Sequence, residues 1–146
     1  MTDINEIRMF PLTDDPDCSS RIKLKKYLTK KLPETQEGRF YYPNNPGIEE
    51  FKENTLVLFR YEAEIIGCGI ATGVNKEDGK TENGREYNGY FQFIPESIKY
   101  FPSKPITKED IIYSTNIERM SQGKQIIDLE YLKEIKRLLK QRKIRI

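Results

Sequence analysis

The densest run of apolar residues is Thr55-Leu56-Val57-Leu58-Phe59-Arg60-Tyr61, rich in β-branched and aromatic side chains, and it predicts a strand. Glu62-Ala63-Glu64 makes a short turn into a second strand, Ile65 to Val74, so the pair reads as a hairpin. Strict alternation puts Ile66, Cys68, Ile70, Thr72 and Val74 on one face of that second strand. The other face holds Ile65, Gly67, Gly69, Ala71 and Gly73. A face so poor in side chains lets a backbone, a helix or a ligand come close. It is expected either as tight curvature in a small barrel or as the floor of a binding cleft.

Around this hairpin the pattern is weaker. Residues 1–20 are polar, with a turn at Thr13-Asp14-Asp15-Pro16-Asp17. Ser19 or Ser20 can cap a helix from about Arg21 to Lys31, with Ile22, Leu24, Leu28 and Leu32 as an imperfect apolar face and Pro33 as its stop. Arg39-Phe40-Tyr41-Tyr42 predicts a strand, halted by Pro43-Asn44-Asn45-Pro46-Gly47, and Ile48 to Glu53 a helical turn. Asn75 to Gly89 reads as a polar loop carrying three turn dipeptides, Asp78-Gly79, Asn83-Gly84 and Asn88-Gly89. That length suggests a mobile segment or a binding arm. Tyr90 to Ile94 predicts a strand, Pro95-Glu96-Ser97 a bend, Thr107-x-x-Asp110 a cap, and Ile111-Ile112-Tyr113 one more short strand. Asp128 can cap a closing helix in which Leu129, Leu132, Ile135, Leu138 and Leu139 recur at helical spacing. The expected class is α+β: a small curved sheet or open barrel with flanking helices and a C-terminal helix. We read residues 1–146 as one domain, with 1–37 as a helical N-terminal extension and 128–146 as a basic closing helix.

Composition narrows the chemistry. The 146 residues contain no histidine, which excludes Ser–His–Asp and Cys–His catalysis and histidine-ligated metals. Carboxylates, lysines, tyrosines or a thiol remain. Cys18 and Cys68 read as free thiols in a reducing compartment. No apolar run reaches the roughly 18 residues of a membrane span, and Met1 to Arg8 lacks an apolar signal core, so the expectation is a cytoplasmic protein without membrane contact. The sequence carries no motif that implies a cofactor. The net charge is only +2, yet Lys133 to Arg145 carries seven basic residues against Glu134 alone. That end suits a phosphate-facing edge or a solvated helix face equally.

Aromatic residues crowd the central strands and their connections. In adjacent pairs such as Tyr41/Tyr42 and Tyr90/Phe91 only one ring can point inward, which leaves the other for solvent, a rim or a stacked base. Glu50-x-Lys52, Glu62-x-Glu64 and Glu134-x-Lys136 resemble fragments of metal-dependent nuclease motifs, although in a chain one-third charged such triplets arise by chance. Ser121-Gln122-Gly123-Lys124-Gln125 offers amide and ammonium donors ahead of the last helix, or is an ordinary loop.

From Gly38 to about Leu139 the order of these features resembles a PUA-like domain of the EVE and YTH kind, as found at the front of modification-dependent restriction enzymes. The resemblance rests on Phe40-Tyr41-Tyr42-Pro43, the Ile48–Asn54 turn, Leu56–Tyr61, Ile65-Ile66-Gly67-Cys68-Gly69-Ile70-Ala71, Tyr90-Phe91-Gln92-Phe93, Ser97-Ile98, Pro105-Ile106 and Met120–Gln125. Lys52-Glu53-Asn54 stands where that family has a Lys-Gly-Asp-like turn, and the tryptophans common in its pockets are absent. The resemblance implies a reader that holds a flipped, modified base, in DNA more than RNA, for an effector nuclease. It implies a pocket from Tyr41, Tyr42, Asn44, Asn45, Phe59 and Tyr61. Ser121, Gln122, Lys124 and Arg60 would then reach phosphate or base edges. Two other readings stand beside it: a protein-interaction or structural domain of the same fold, and a histidine-free metal nuclease.

Overall fold

The computed structural model describes residues 3–13, 15–42, 51–82, 84–115 and 125–146. The chain is α+β, built on a mixed seven-stranded sheet that stays open and does not close into a barrel. Its strands are β1 (Glu6–Pro11), β2 (Arg39–Tyr42), β3 (Thr55–Tyr61), β4 (Glu64–Lys80), β5 (Glu86–Phe93), β6 (Lys99–Tyr100) and β7 (Gln125–Ile127). They lie in the order β2-β5-β4-β3-β1-β7, with β6 paired to β4. All pairings are antiparallel except β1 with β3.

β1 replaces part of the expected helical N-terminal extension. Ile7 and Met9 point to one face of the sheet and Glu6, Arg8, Phe10 and Leu12 to the other. The strand was obscured because two of its inward positions are charged. Both are buried and paired: Arg8 Nε donates to the Glu6 carboxylate, and the guanidinium lies 5.0 Å from the Phe51 ring centre, with one of its terminal nitrogens left without a hydrogen-bond partner among the described residues.

The helix that follows is α1 (Arg21–Lys26), where the Ser20 hydroxyl accepts from Lys23 N–H. It does not stop at Pro33. A wider, π-type winding carries it from Tyr27 to Thr35, and Gln36 N–H reaches back to the Lys31 carbonyl. In a regular α-helix the proline ring would strike the carbonyl four residues earlier; the wider turn avoids that contact. Leu24, Tyr27, Leu28 and Leu32 of this helix pack on one face of the sheet with Phe10, Phe40, Phe59, Phe91 and Phe93. On the other face, α2 (Lys108–Thr115) and α3 (Leu132–Lys140) cover Ile7, Met9, Leu56, Leu58, Ile65 and Cys68 with Ile111, Ile135, Leu138 and Leu139.

The two faces expected for β4 are cut by bulges. Ile66 is an extra residue between the Phe59–Gly67 and Arg60–Ile65 pairs, and Thr72 another between Ala71–Phe93 and Gly73–Gln92. Each bulge shifts the alternation, so Ile66 and Val74 join the side of Gly67, Gly69 and Ala71, and Ile65 joins Cys68 and Ile70. The glycine face is filled rather than open. A Cβ on Gly67 would stand 2.7 Å from the Lys99 carbonyl oxygen and 3.1 Å from Leu28. One on Gly69 would stand 2.9 Å from the Phe93 ring. These glycines admit β6, the helix and an aromatic ring.

The expected loop at 75–89 is mostly strand. β4 and β5 continue as a two-stranded arm with a bulge between Lys76 and Gly79, joined by a turn at 81–85 in which Gly84 takes φ +79°. The Ile111–Tyr113 segment is helix, not strand. Thr107 N–H donates to the Asp110 carboxylate and Asp110 N–H to the Thr107 hydroxyl, a reciprocal cap that starts α2. Asp128 caps a 3-10 turn, Leu129–Tyr131, that leads into α3. Among the described residues no helix is long and apolar enough to cross a membrane.

Candidate functional site

The tip of the β4–β5 arm meets the segment before α1. Arg85 lies 3.7 Å from the carboxylates of both Asp15 and Asp17, and Lys31 Nζ donates to Asp17 at 2.7 Å. Asp15 and Asp17 are placed by a short turn, Pro16–Cys18, in which the Asp15 side chain accepts from Asp17 N–H. Two cations thus converge on Asp17, tying the arm to the helix layer.

Between arm and helix lies a cavity of about 160 Å³. Tyr27, Tyr41 and Tyr87 supply its rings. Tyr41 packs on Tyr87 with ring centres 4.3 Å apart and meets Tyr90 edge-on at 5.8 Å. The Arg39 guanidinium lies 5.0 Å from the Tyr90 ring centre and hydrogen-bonds Tyr41. Lys31, Lys80 and Arg85 bring positive charge, and Asp17 and Glu82 negative charge. Lys31 and Arg85 are both engaged with Asp17, so Lys80 is the cation here without an acidic partner among the described residues. Gln36 adds an amide; its Nε2 donates to the Arg39 carbonyl at 2.7 Å and the side chain hydrogen-bonds Tyr27. Burial pushes the Tyr27 hydroxyl well above its ordinary value, and desolvation with nearby Tyr41 raises Tyr87. Both phenols stay neutral near pH 7 and can donate hydrogen bonds.

No known family model matches the chain, and no curated protein matches it either. The site is therefore read from its geometry.

Of the residues expected to form a pocket, Tyr41 lines the cavity. Tyr42 is core, against Phe91, with its hydroxyl in the space a side chain at Gly89 would take. Phe59 is fully buried between Phe10, Phe40 and Phe93, so no face of its ring is open to a ligand. Tyr61 is buried beneath the Arg21 guanidinium, 5.1 Å away. Arg60 is buried, and its Nε has no hydrogen-bond partner among the described residues. Asn44, Asn45, Ser121, Gln122 and Lys124 lie outside the described residues, as does Glu50. Glu62 and Glu64 are 3.8 and 3.9 Å from Arg21, a pair of surface acids sharing one cation. Glu134 pairs with Arg137.

Sequence reasoning missed Tyr27, Lys31, Gln36, Lys80, Arg85 and Tyr87. One signal was available: a loop with three turn dipeptides also fits a long hairpin. Neither thiol is poised for catalysis. Burial, with the charges of Asp15 and Asp17, raises Cys18, and burial pushes Cys68 up to about 12.

Proposed function

We propose that this chain is a nucleic-acid-binding module that seats one base, bare or modified, against Tyr41 and Tyr87 in the cavity between helix and arm. The observation that carries the reading is the combination of the packed rings of Tyr41 and Tyr87 with a lysine, Lys80, that has no acidic partner among the described residues, in one partly open cavity. The volume suits a single ring: a cavity of about 150 Å³ accommodates benzene. Neutral tyrosine faces stack on a base without regard to its identity. The Gln36 side-chain oxygen offers an acceptor and the phenol hydroxyls offer donors to a base edge, and Lys80 offers charge to a neighbouring phosphate. The PUA-like resemblance points the same way. It adds two finer elements to the proposal: a modified base, in DNA more than RNA, and a partner nuclease that acts on what is read.

The test is fluorescence anisotropy with matched oligonucleotides, bare and carrying methylated or hydroxymethylated bases. The expected result is preference for one modified oligonucleotide, weakened by about 1–3 kcal/mol, roughly 5- to 150-fold, in Tyr41→Ala. Phe59→Ala serves as the comparator. It removes a buried core ring and lowers stability by about 3–5 kcal/mol. Absence of binding to any DNA or RNA at low salt refutes the proposal.

A further inference from the structure

We propose that the phosphodiester backbone of the bound nucleic acid runs along α1, in the cleft that opens beside the aromatic cavity. The inference rests on the base-seating reading and adds where the charged strand lies. A second cleft, of about 250 Å³, is lined by Pro16, Asp17, Lys23, Lys26, Tyr27 and Lys31. Asp17, Tyr27 and Lys31 also line the cavity, so the two spaces adjoin across these three residues. A base held in the first places its own phosphates at the mouth of the second.

The charges there are available. Lys23, Lys25 and Lys26 are exposed and have no acidic partner among the described residues. Lys30, by contrast, pairs with Glu34 at 3.8 Å. Lys23 and Lys26 stand three residues apart, hence on one side of the helix, and both reach the cleft. Asp17, the carboxylate in this cleft, is already held by Lys31 and Arg85, which offsets its repulsion of phosphate. The basic C-terminal helix is the rival surface. Lys136, Lys140 and Arg145 border a cleft of their own, with Ile144 and Ile146. That cleft shares no residue with the aromatic cavity, and α3 packs on the opposite face of the sheet from α1.

The experiment is the salt dependence of anisotropy for single-stranded oligonucleotides with the full chain, the Lys23→Ala/Lys26→Ala variant and the Lys136→Ala/Lys140→Ala variant. Each lost phosphate contact lowers the slope of log K against log salt by about 0.7. The α1 variant should lose about 1–1.5 of slope with the preference for a modified base retained, and the α3 variant should keep the parent slope. An unchanged slope in the α1 variant overturns the inference while leaving base seating intact. A loss confined to the α3 variant does the same and moves the backbone to the other face. Tighter binding of the parent to phosphatidylserine vesicles than to any oligonucleotide also overturns it. A parent that binds no oligonucleotide removes both readings together.

Discussion

At the residue scale, the site depends on how few side chains are spent on several tasks. Asp17 fixes Lys31, receives Arg85 and lies in both clefts; Asp15 caps the turn that presents it. Burial holds the Asp15 carboxyl above its ordinary 3.8, in spite of Asp17 N–H and Arg85, which pull it down. A carboxyl whose folded pKa exceeds its unfolded one binds its proton more tightly in the folded chain. Its contribution to stability is therefore full below pH 3.8 and is lost as the pH rises through the folded value. Asp15→Asn keeps the capping oxygen and abolishes that titration. The stability of the variant relative to the parent should rise from roughly pH 3 to pH 7, as measured by urea unfolding at each pH. A difference that falls over this range would show that Arg85 outweighs desolvation. Residue patterns showed that one of Tyr41 and Tyr42 faces away from the core, but not which one, and did not show the burial of Phe59 and Tyr61. Alternation assigns residues to faces, and here both faces of the sheet are covered, so facing outward from one core means facing into another.

At the element scale, the arm is the part of the fold that builds the cavity. Its strands extend beyond the helix-covered sheet, and its turn is anchored through Arg85 to Asp15 and Asp17. Half-exposed ion pairs of this kind contribute little to global stability, on the order of 0–1 kcal/mol. They can still set whether the tip is docked or open. Arg85→Ala should leave the urea midpoint nearly unchanged while the amides of Thr81 and Gly84, bonded across the turn, exchange faster. Unaltered exchange there would mean that the tip is held without the ion pairs. Elements with purely local causes were legible: β2, β3, the Ser20 and Asp128 caps, the Thr107–Asp110 box. Those set by distant partners were not. β1 is a strand because β3 and β7 flank it, and its buried Glu6–Arg8 pair disguises the pattern. β4 runs to Lys80 because β5 pairs with it across the polar stretch, where Gly79 makes room for the Tyr87 ring. Ile111 enters a helix because the reciprocal cap precedes it, which outranks the β-branched propensity of a three-residue run.

At the scale of the whole molecule, the open sheet separates two basic surfaces. α1 and the aromatic cavity belong to one side, and α3 with its basic end to the other. The sequence alone drew attention to the C-terminal cluster, because seven cations within thirteen residues stand out in a linear reading. Folding gives the lysines of α1 their significance, because only the structure places an aromatic cavity beside them. The most direct measurement is a backbone NMR titration of the full chain with a short single-stranded oligonucleotide at low salt. The account predicts amide shifts at Gln36, Tyr41, Thr81 and Tyr87 together with Lys23 and Lys26, saturating at one common affinity. Shifts confined to residues 132–146, or no shifts at all, would contradict it.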